Sequence, residues 1–354
     1  MMATLSSSSL QESDENLPST PDTFIGAKPI SEGVRFRVWA PKAKRVDVVV
    51  EGQSNRFPLE ALTDGYFGAT VLNLRVGDLY KFSLDDGEPF PDPASRYQPR
   101  GPHGRSQIVD SAPFQWSTNE TKWPGISIDG QVLYEMHVGT FTPDGTFLGA
   151  IQQFPRLRDL GITVIECMPL AEFAGEVGWG YDGVSLFAPF HRYGTPDELR
   201  QMIDAAHQHG LGVILDVVYN HLGPDGNYLT KYSDDYFSKA DTEWGDGINF
   251  DGQNSLPVRE FFLANARLWI SDYHFDGLRL DATQAIHDKG THGTHILQEI
   301  GAEVRAAAGN RKTIIVAENE PQDSCLVCPV EQKGYGFDGV WNDDFHHSAV
   351  VALT

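Results

Sequence analysis

The chain has 354 residues, 40% of them hydrophobic, with 35 glycines, which allows two domains or one large barrel with an appendage and a core that needs no disulfide staples. That composition excludes collagen, coiled coil and wholesale disorder. A formal charge of -22, from 27 basic and 49 acidic side chains, repels a phosphate backbone or an anionic membrane surface and is indifferent to a neutral sugar, so neither nucleic acid nor membrane is an expected partner.

The opening MMATLSSSSLQESDENLPST has no basic region followed by an apolar one, and its acids do not suit a transit peptide, so residues 1–22 read as a disordered cytoplasmic tail. From Val34 the text turns to short alternating runs, VRFRVWA, RVDVVVEG and DLYKFSLDDG, with turn signals such as TDGYFG between them; residues 23–113 are expected to form an antiparallel β-sandwich. PDPASRYQPRGPHGRSQIVD carries many breakers and no period, as expected of a loop lying against the next domain.

After Trp123 the rhythm becomes strand, loop, helix, and residues 114–354 read as a catalytic (β/α) barrel. VLYEMHVG, TVIECMP, LGVILDVVYNH, GLRLDA and TIIVAEN are five strands, apolar on both faces as in a parallel sheet covered by helices, and GVWNDDFHH is a sixth. AIQQFPRLRDLG, PDELRQMIDAAHQHG, VREFFLANARLWISDYH and THILQEIGAEVRAAAG are the intervening helices. A closed eight-stranded barrel takes about 250 residues. The stretch after Trp123 is shorter, so the expected fold is a multidomain α/β protein, sandwich followed by a TIM-type (β/α)8 barrel, with about six of its strands present and its C-terminal part missing.

Active sites of such barrels lie at the carboxyl ends of the strands. There the sequence places Asp216 ahead of Asn220 and His221, Arg279 with Asp281, and Glu318. Arg279 and Asp281 are two apart on one strand and share a face. A guanidinium beside a carboxylate favours the ionised form that a nucleophile requires. Glu318 follows the apolar run Ile314 to Ala317, whose desolvation favours the protonated form of a general acid. One carboxyl of each kind is the equipment of glycoside hydrolysis. Trp179, Tyr181 and Asp182 in WGYDG, with Asn220 and His221, are candidates to stack on a sugar face and bind hydroxyls. The three cysteines, Cys167, Cys325 and Cys328, make no paired framework and fit a reducing compartment; the lone Cys325-Leu-Val-Cys328 reads as loop, not zinc site.

DVVYNH, GLRLDA and AEN resemble the first three signature regions of the α-amylase clan of glycoside hydrolases, in order and at normal spacing. YEMHVGTFTPDGTF, ECMPLAEFAGEVGWGYDG, DVVYNHLGPDGNYL and WNDDFHH bring the resemblance closest to the maltooligosyltrehalose trehalohydrolase family. The resemblance implies an amino-terminal sandwich similar to starch-binding modules, Asp281 as nucleophile, Glu318 as proton donor, and Arg279, His221 and Tyr181 around the sugar at the cleaved bond. It further implies substrate contacts from Asp343, Asp344, Phe345, His346 and His347 on the sixth strand. After GLRLDA the family continues with Val-His, where this chain has Thr283-Gln284, so Gln284 replaces a contact beside the nucleophile. The clan's fourth region, which supplies a third carboxylate, is absent from the sequence, and hydrolysis is expected to be weak or absent unless those residues are restored, with Asp343 and Asp344 the first substitutes to test. The expected activity is cleavage of the α-1,4 bond next to the terminal trehalose of maltooligosyltrehalose, with no cofactor and no metal. The alternatives are a glucan branching or debranching enzyme and an inactive glucan-binding fragment.

Overall fold

The computed structural model describes residues 24–354 apart from residue 243 and the side chains of 239–242 and 343, so the tail expected over 1–22 and the side chain of Asp343 lie outside the described residues. Two antiparallel sheets form the amino-terminal part. One orders strands Gly26–Ile30, Gly33–Trp39, Tyr66–Leu72 and Glu60–Ala61; the other orders Arg56–Pro58, Val46–Val50, Leu79–Leu84 and Pro89–Phe90, with Ser106–Gln107 also paired to Leu79–Leu84. Alternation in GVRFRVW turns Val34, Phe36 and Val38 inward. Phe36 meets Tyr80 and Phe82 of the facing sheet edge-on at 5.1 and 6.0 Å, which ties the two layers together. The breaker-rich stretch after Phe90 buries Asp92, Ala94, Ser95 and Gln98. Its contacts reach the second half of the chain, where the Tyr232 hydroxyl donates to the Pro91 carbonyl at 2.7 Å. Arg37 and Tyr66 of the sandwich both donate to Glu260 at 2.6 Å.

Six parallel strands follow in chain order in one sheet: Leu133–Met136, Val164–Cys167, Gly212–Val217, Gly277–Leu280, Ile314–Glu318 and Gly339–Trp341. The register sets Asp216 beside Arg279 and Glu318 beside Trp341, which brings the polar strand ends to one level. Gly277 opens the fourth strand because a Cβ there would stand 1.7 Å from the Ile314 carbonyl oxygen. Helices Pro196–Gln208, Ser255–Ser271 and Ile296–Ala308 cover the sheet, the first started by a reciprocal Thr195/Glu198 capping box. The first and sixth strands are not paired to each other among the described residues. None of the described helices is long and apolar enough to cross a membrane.

Two sequence expectations are corrected, and one strand is added. The segment expected to be one helix from Ala150 breaks into Phe147–Ile151 and Phe154–Asp159, because Pro155 supplies no amide hydrogen and starts a new helix in its first turn. Strand Ser185–Pro189, wholly buried and hairpinned onto Ala171–Glu172, was not anticipated; its VSLFAPF run is apolar but too short to separate from loop by period. The sixth strand ends at Trp341, and Asp343–Leu353 is a helix. Asn342 caps it, its side-chain oxygen accepting the Phe345 amide hydrogen at 2.7 Å, and an Asn followed by two acids is a helix start. Asp344, Phe345, His346 and His347 therefore stand exposed on a helix.

The end of the sheet opposite the carboxylates is locked by a buried ion network. His207 gives one ring nitrogen to Glu120 at 2.6 Å and the other to Asp276 at 2.9 Å, stacks on Trp123 at 4.4 Å, and the Trp123 indole donates to Asp276 at 2.7 Å. His274 adds a second bond to Glu120 at 2.6 Å. Burial alone would lower His207, but Asp276 and Glu120 outweigh it and raise the ring from 6.5 to about 9. Burial alone would raise Glu120, yet the two imidazoles bring it from 4.5 to about 2. The His207 contribution is complete below pH 6.5 and is lost as pH rises through about 9; the Glu120 contribution is complete above pH 4.5 and is lost as pH falls through about 2. As pH rises from 6.5 through about 9 the loss of the His207 contribution is expected to lower stability in thermal melts by an amount on the order of 3 kcal/mol. His207→Gln is expected to make the alkaline fall shallower by that amount; a fall as steep as that of the native chain contradicts the assignment.

Candidate active site

Arg279, on the fourth strand, is buried and holds three carboxylates at once. Its Nη1 donates to both oxygens of Asp216, at 2.8 and 2.9 Å, and to Asp281 Oδ1 at 2.8 Å, while Nη2 lies 3.0 Å from Glu318 Oε2. The planar fork fixes these oxygens relative to one another, which a flexible lysine could not do. Burial alone would lower the guanidinium, but Asp216, Glu318 and Asp281 hold it well above its ordinary value.

Asp281 stands just past the fourth strand, and its other oxygen accepts from Asn220 Nδ2 at 2.8 Å. Asn220 in turn accepts from the His221 ring, which burial keeps below its ordinary value and hence mostly neutral at pH 7. Ala282, the next residue, adopts a left-handed φ of 40°. That turn points its amide hydrogen at Glu318 Oε2, 3.0 Å away. Thr283 bonds the Glu318 carbonyl at 2.7 Å and accepts from Asn319 at 3.0 Å, so the ends of strands four and five are laced together. Burial pushes the Glu318 carboxyl up; Arg279 and the Ala282 amide oppose this, and the neighbouring Asp281, sharing a hydrogen bond with it, adds to the rise.

The Tyr181 hydroxyl donates to Asp216 at 2.9 Å, and burial pushes Asp216 up to about 8 against the pull of Arg279. One cation among so many carboxyls leaves room for a proton in the cluster. A cleft of about 700 Å³ opens over the group, lined by Trp179, Tyr181, Asp182, His221, Arg279, Asp281, Gln284 and Glu318. Gly180, at φ 97° and with a Cβ position only 2.3 Å from the Pro169 carbonyl, separates Trp179 from Tyr181 in a way no other residue permits. Trp179 is 72% exposed, a flat face presented to solvent at the rim.

The structure thus gathers Asp281, Glu318, Arg279, His221, Tyr181, Asp182, Trp179 and Gln284 around one opening, with the buried Asp216 and Asn220 hydrogen-bonded to Arg279 and Asp281. It does not bring Asp344, Phe345, His346 or His347 to the cleft lining. Sequence reasoning missed Trp244, which lines the cleft and stacks on His221 at 5.8 Å, together with Ala282, His287, Glu320 and the buried Glu166. Only Glu166 left a signal, as an acid in the otherwise apolar TVIEC strand.

Residues 24–97 match carbohydrate-binding module 48, the isoamylase N-terminal domain, and residues 109–247 match the alpha amylase catalytic domain. The chain is 44% identical to a malto-oligosyltrehalose trehalohydrolase of Saccharolobus solfataricus, over 93% of this chain and 57% of that protein. It is 43% identical to the trehalohydrolase of Deinococcus radiodurans, over 94% of this chain and 53% of that protein. A crystal structure of a Salmonella typhimurium protein provisionally assigned as an alpha amylase superposes with a TM-score of 0.85 at 42% identity, covering 92% of this chain and 55% of that one. The chain spans little more than half the length of the curated relatives it matches.

Proposed function

We propose that the chain belongs to the malto-oligosyltrehalose trehalohydrolase branch of the α-amylase family and hydrolyses the α-1,4 bond between a maltooligosaccharide and its terminal trehalose. The observation that carries the reading is the seating of Asp281 and Glu318 on one guanidinium beneath one cleft. In the first step Glu318 passes its proton to the glycosidic oxygen, the bond to the anomeric carbon breaks, and trehalose leaves as Asp281 forms an ester with that carbon. In the second, the Glu318 carboxylate takes a proton from water, whose oxygen displaces Asp281 with net retention. Asp216, Asn220 and His221 hold the nucleophile and the guanidinium in place; Trp179, Tyr181, Asp182 and Gln284 face the glucan. Neither metal nor cofactor enters these steps.

Residues 23–113 serve as an accessory sandwich and 114–354 as the catalytic unit. The three unpaired cysteines support a reducing, cytoplasmic setting, and the product supports a place in trehalose biosynthesis. In the retaining reaction the two carboxyl groups stand about 5 to 5.5 Å apart with substrate bound. A crystal structure with a maltooligosaccharide in the cleft measures this, and a separation near 9 Å contradicts it.

Tyr181 offers a ring to the sugar and a hydroxyl to Asp216. Tyr181→Ala is expected to raise KM roughly tenfold and lower kcat as well, whereas Tyr181→Phe keeps the ring and is expected to lower kcat with little change in KM. Equal behaviour of the two variants contradicts the division of roles.

A further inference from the structure

Glu166 sits inside the sheet beneath the cluster, and no step above uses it. It lies on the second strand, 3% exposed, with Glu135 of the first strand and Ile214 of the third as its register partners. Its closest approach to the guanidinium is at the edge that the other carboxylates leave: Glu166 Oε1 is 3.9 Å from Arg279 Nε. That Nε is buried and has no hydrogen-bond partner among the described residues, although both terminal nitrogens of the same side chain are occupied. The Trp341 indole donates to the same Glu166 oxygen at 3.4 Å, which aims the carboxylate inward.

We propose that Glu166 is a positioning residue of this centre: it steadies Arg279 from the Nε side, and when it is ionised its charge, across the guanidinium from Glu318, favours keeping the proton on Glu318 until the glycosidic oxygen takes it. A buried guanidinium with an unpartnered N–H is costly unless a charge faces that edge, and Glu166 is the acid that approaches it. The groups facing Glu166 come from every neighbouring strand: Glu135 from the first, Asp216 from the third, Arg279 from the fourth, Glu318 from the fifth and Trp341 from the sixth. Burial pushes the Glu166 carboxyl up to about 7, Arg279 and the Trp341 indole pull it down, and Glu135 and Glu318 push it up. Interaction between two titrating carboxyls acts on both, so a charge on Glu166 raises Glu318 in return.

This inference deepens the reading of Glu318 as proton donor and rests on it, so its test includes a measurement that needs no turnover. The purified chain, labelled with 13C at the glutamate side-chain carboxyls, is titrated by NMR, and the Glu318 signal is assigned by its loss in Glu318→Gln. Glu166→Gln, which keeps the shape and removes the charge, is expected to move the Glu318 midpoint toward acid by about one pH unit. The alkaline limb of kcat/KM for trehalose release should move by the same amount, with kcat changing more than KM. Glu166→Asp keeps the charge and is expected to keep the midpoint. Should Glu166→Gln fail to fold, Trp341→Phe removes the donor that favours ionised Glu166 and is expected to shift Glu318 the same way by less. A Glu318 midpoint that stays put in the folded charge-removing variant overturns the proposal, whatever happens to the rate. Absence of trehalose release by the native chain overturns the trehalohydrolase reading instead, while the NMR titration still decides the role of Glu166.

Discussion

Asp281→Asn and Glu318→Gln are each expected to lower trehalose release by roughly 10⁴-fold or more, since residues that act as one catalytic unit cannot be removed singly at small cost. The two losses have different origins. Asparagine at 281 still fills the space between Arg279 and Asn220 but cannot form the ester with the anomeric carbon. Glutamine at 318 still accepts the Ala282 amide but has no proton for the leaving oxygen. Both changes are isosteric, so thermal stability is expected to stay close to that of the native chain. Single-turnover kinetics with a substrate whose leaving group needs no protonation separates them further, because Glu318→Gln should then recover the first step and Asp281→Asn should not. A variant of either kind that retains native turnover contradicts the assignment.

Arg279→Met is expected to damage the fold itself. Asp216 has no exposed side-chain surface and, among the described residues, Arg279 and Tyr181 to answer it, while Asp281, Glu318 and Glu166 crowd the same guanidinium. Removing one partner of a buried ion pair costs about 3 to 5 kcal/mol, because the charge left behind is neither solvated nor paired. Without the cation Asp216, Glu318 and Glu166 lose the pull that lowers them, so protonation relieves the damage in acid. Denaturant unfolding should therefore show a larger loss at pH 8 than at pH 5. Equal losses at the two values contradict the view that Arg279 serves as counter-charge to the group.

Much of this arrangement was legible in the chain because it depends on short-range rules. Apolar runs ending in Asp216, Asp281 and Glu318 gave the parallel strands and their working end, and a two-residue spacing put Arg279 beside Asp281. The parts that were not legible depend on tertiary packing or on competing local rules. WNDDFHH was read as strand because GVW starts one, yet the Asn342 cap and the acids after it turn the chain into a helix and carry the histidines away from the cleft. The left-handed Ala282 that aims an amide at Glu318 has no sequence mark, since alanine has no preference for that conformation. Trp244 comes to the cleft on a hairpin, Phe237–Thr242 with Gly245–Ile248, whose register no periodicity announces. Glu166 is the instructive case: an acid within an apolar strand could have been marked as buried and paired, but only the fold brings it to 3.9 Å from the bare edge of Arg279.

The missing fourth signature region led to an expectation of weak or absent hydrolysis. Nothing in the structure tests that expectation, but Arg279 does hold Asp281 and Glu318 together, and on the roles proposed for these two carboxyls slow but measurable turnover is expected. The most direct measurement is incubation of the purified chain with maltooligosyltrehalose, in parallel with Glu318→Gln, following free trehalose and the anomeric configuration of the new reducing end. The account expects trehalose to accumulate from the native chain with an α-configured maltooligosaccharide as first product, and none above the blank from the variant. No trehalose from the native chain, or equal release from both, would contradict it.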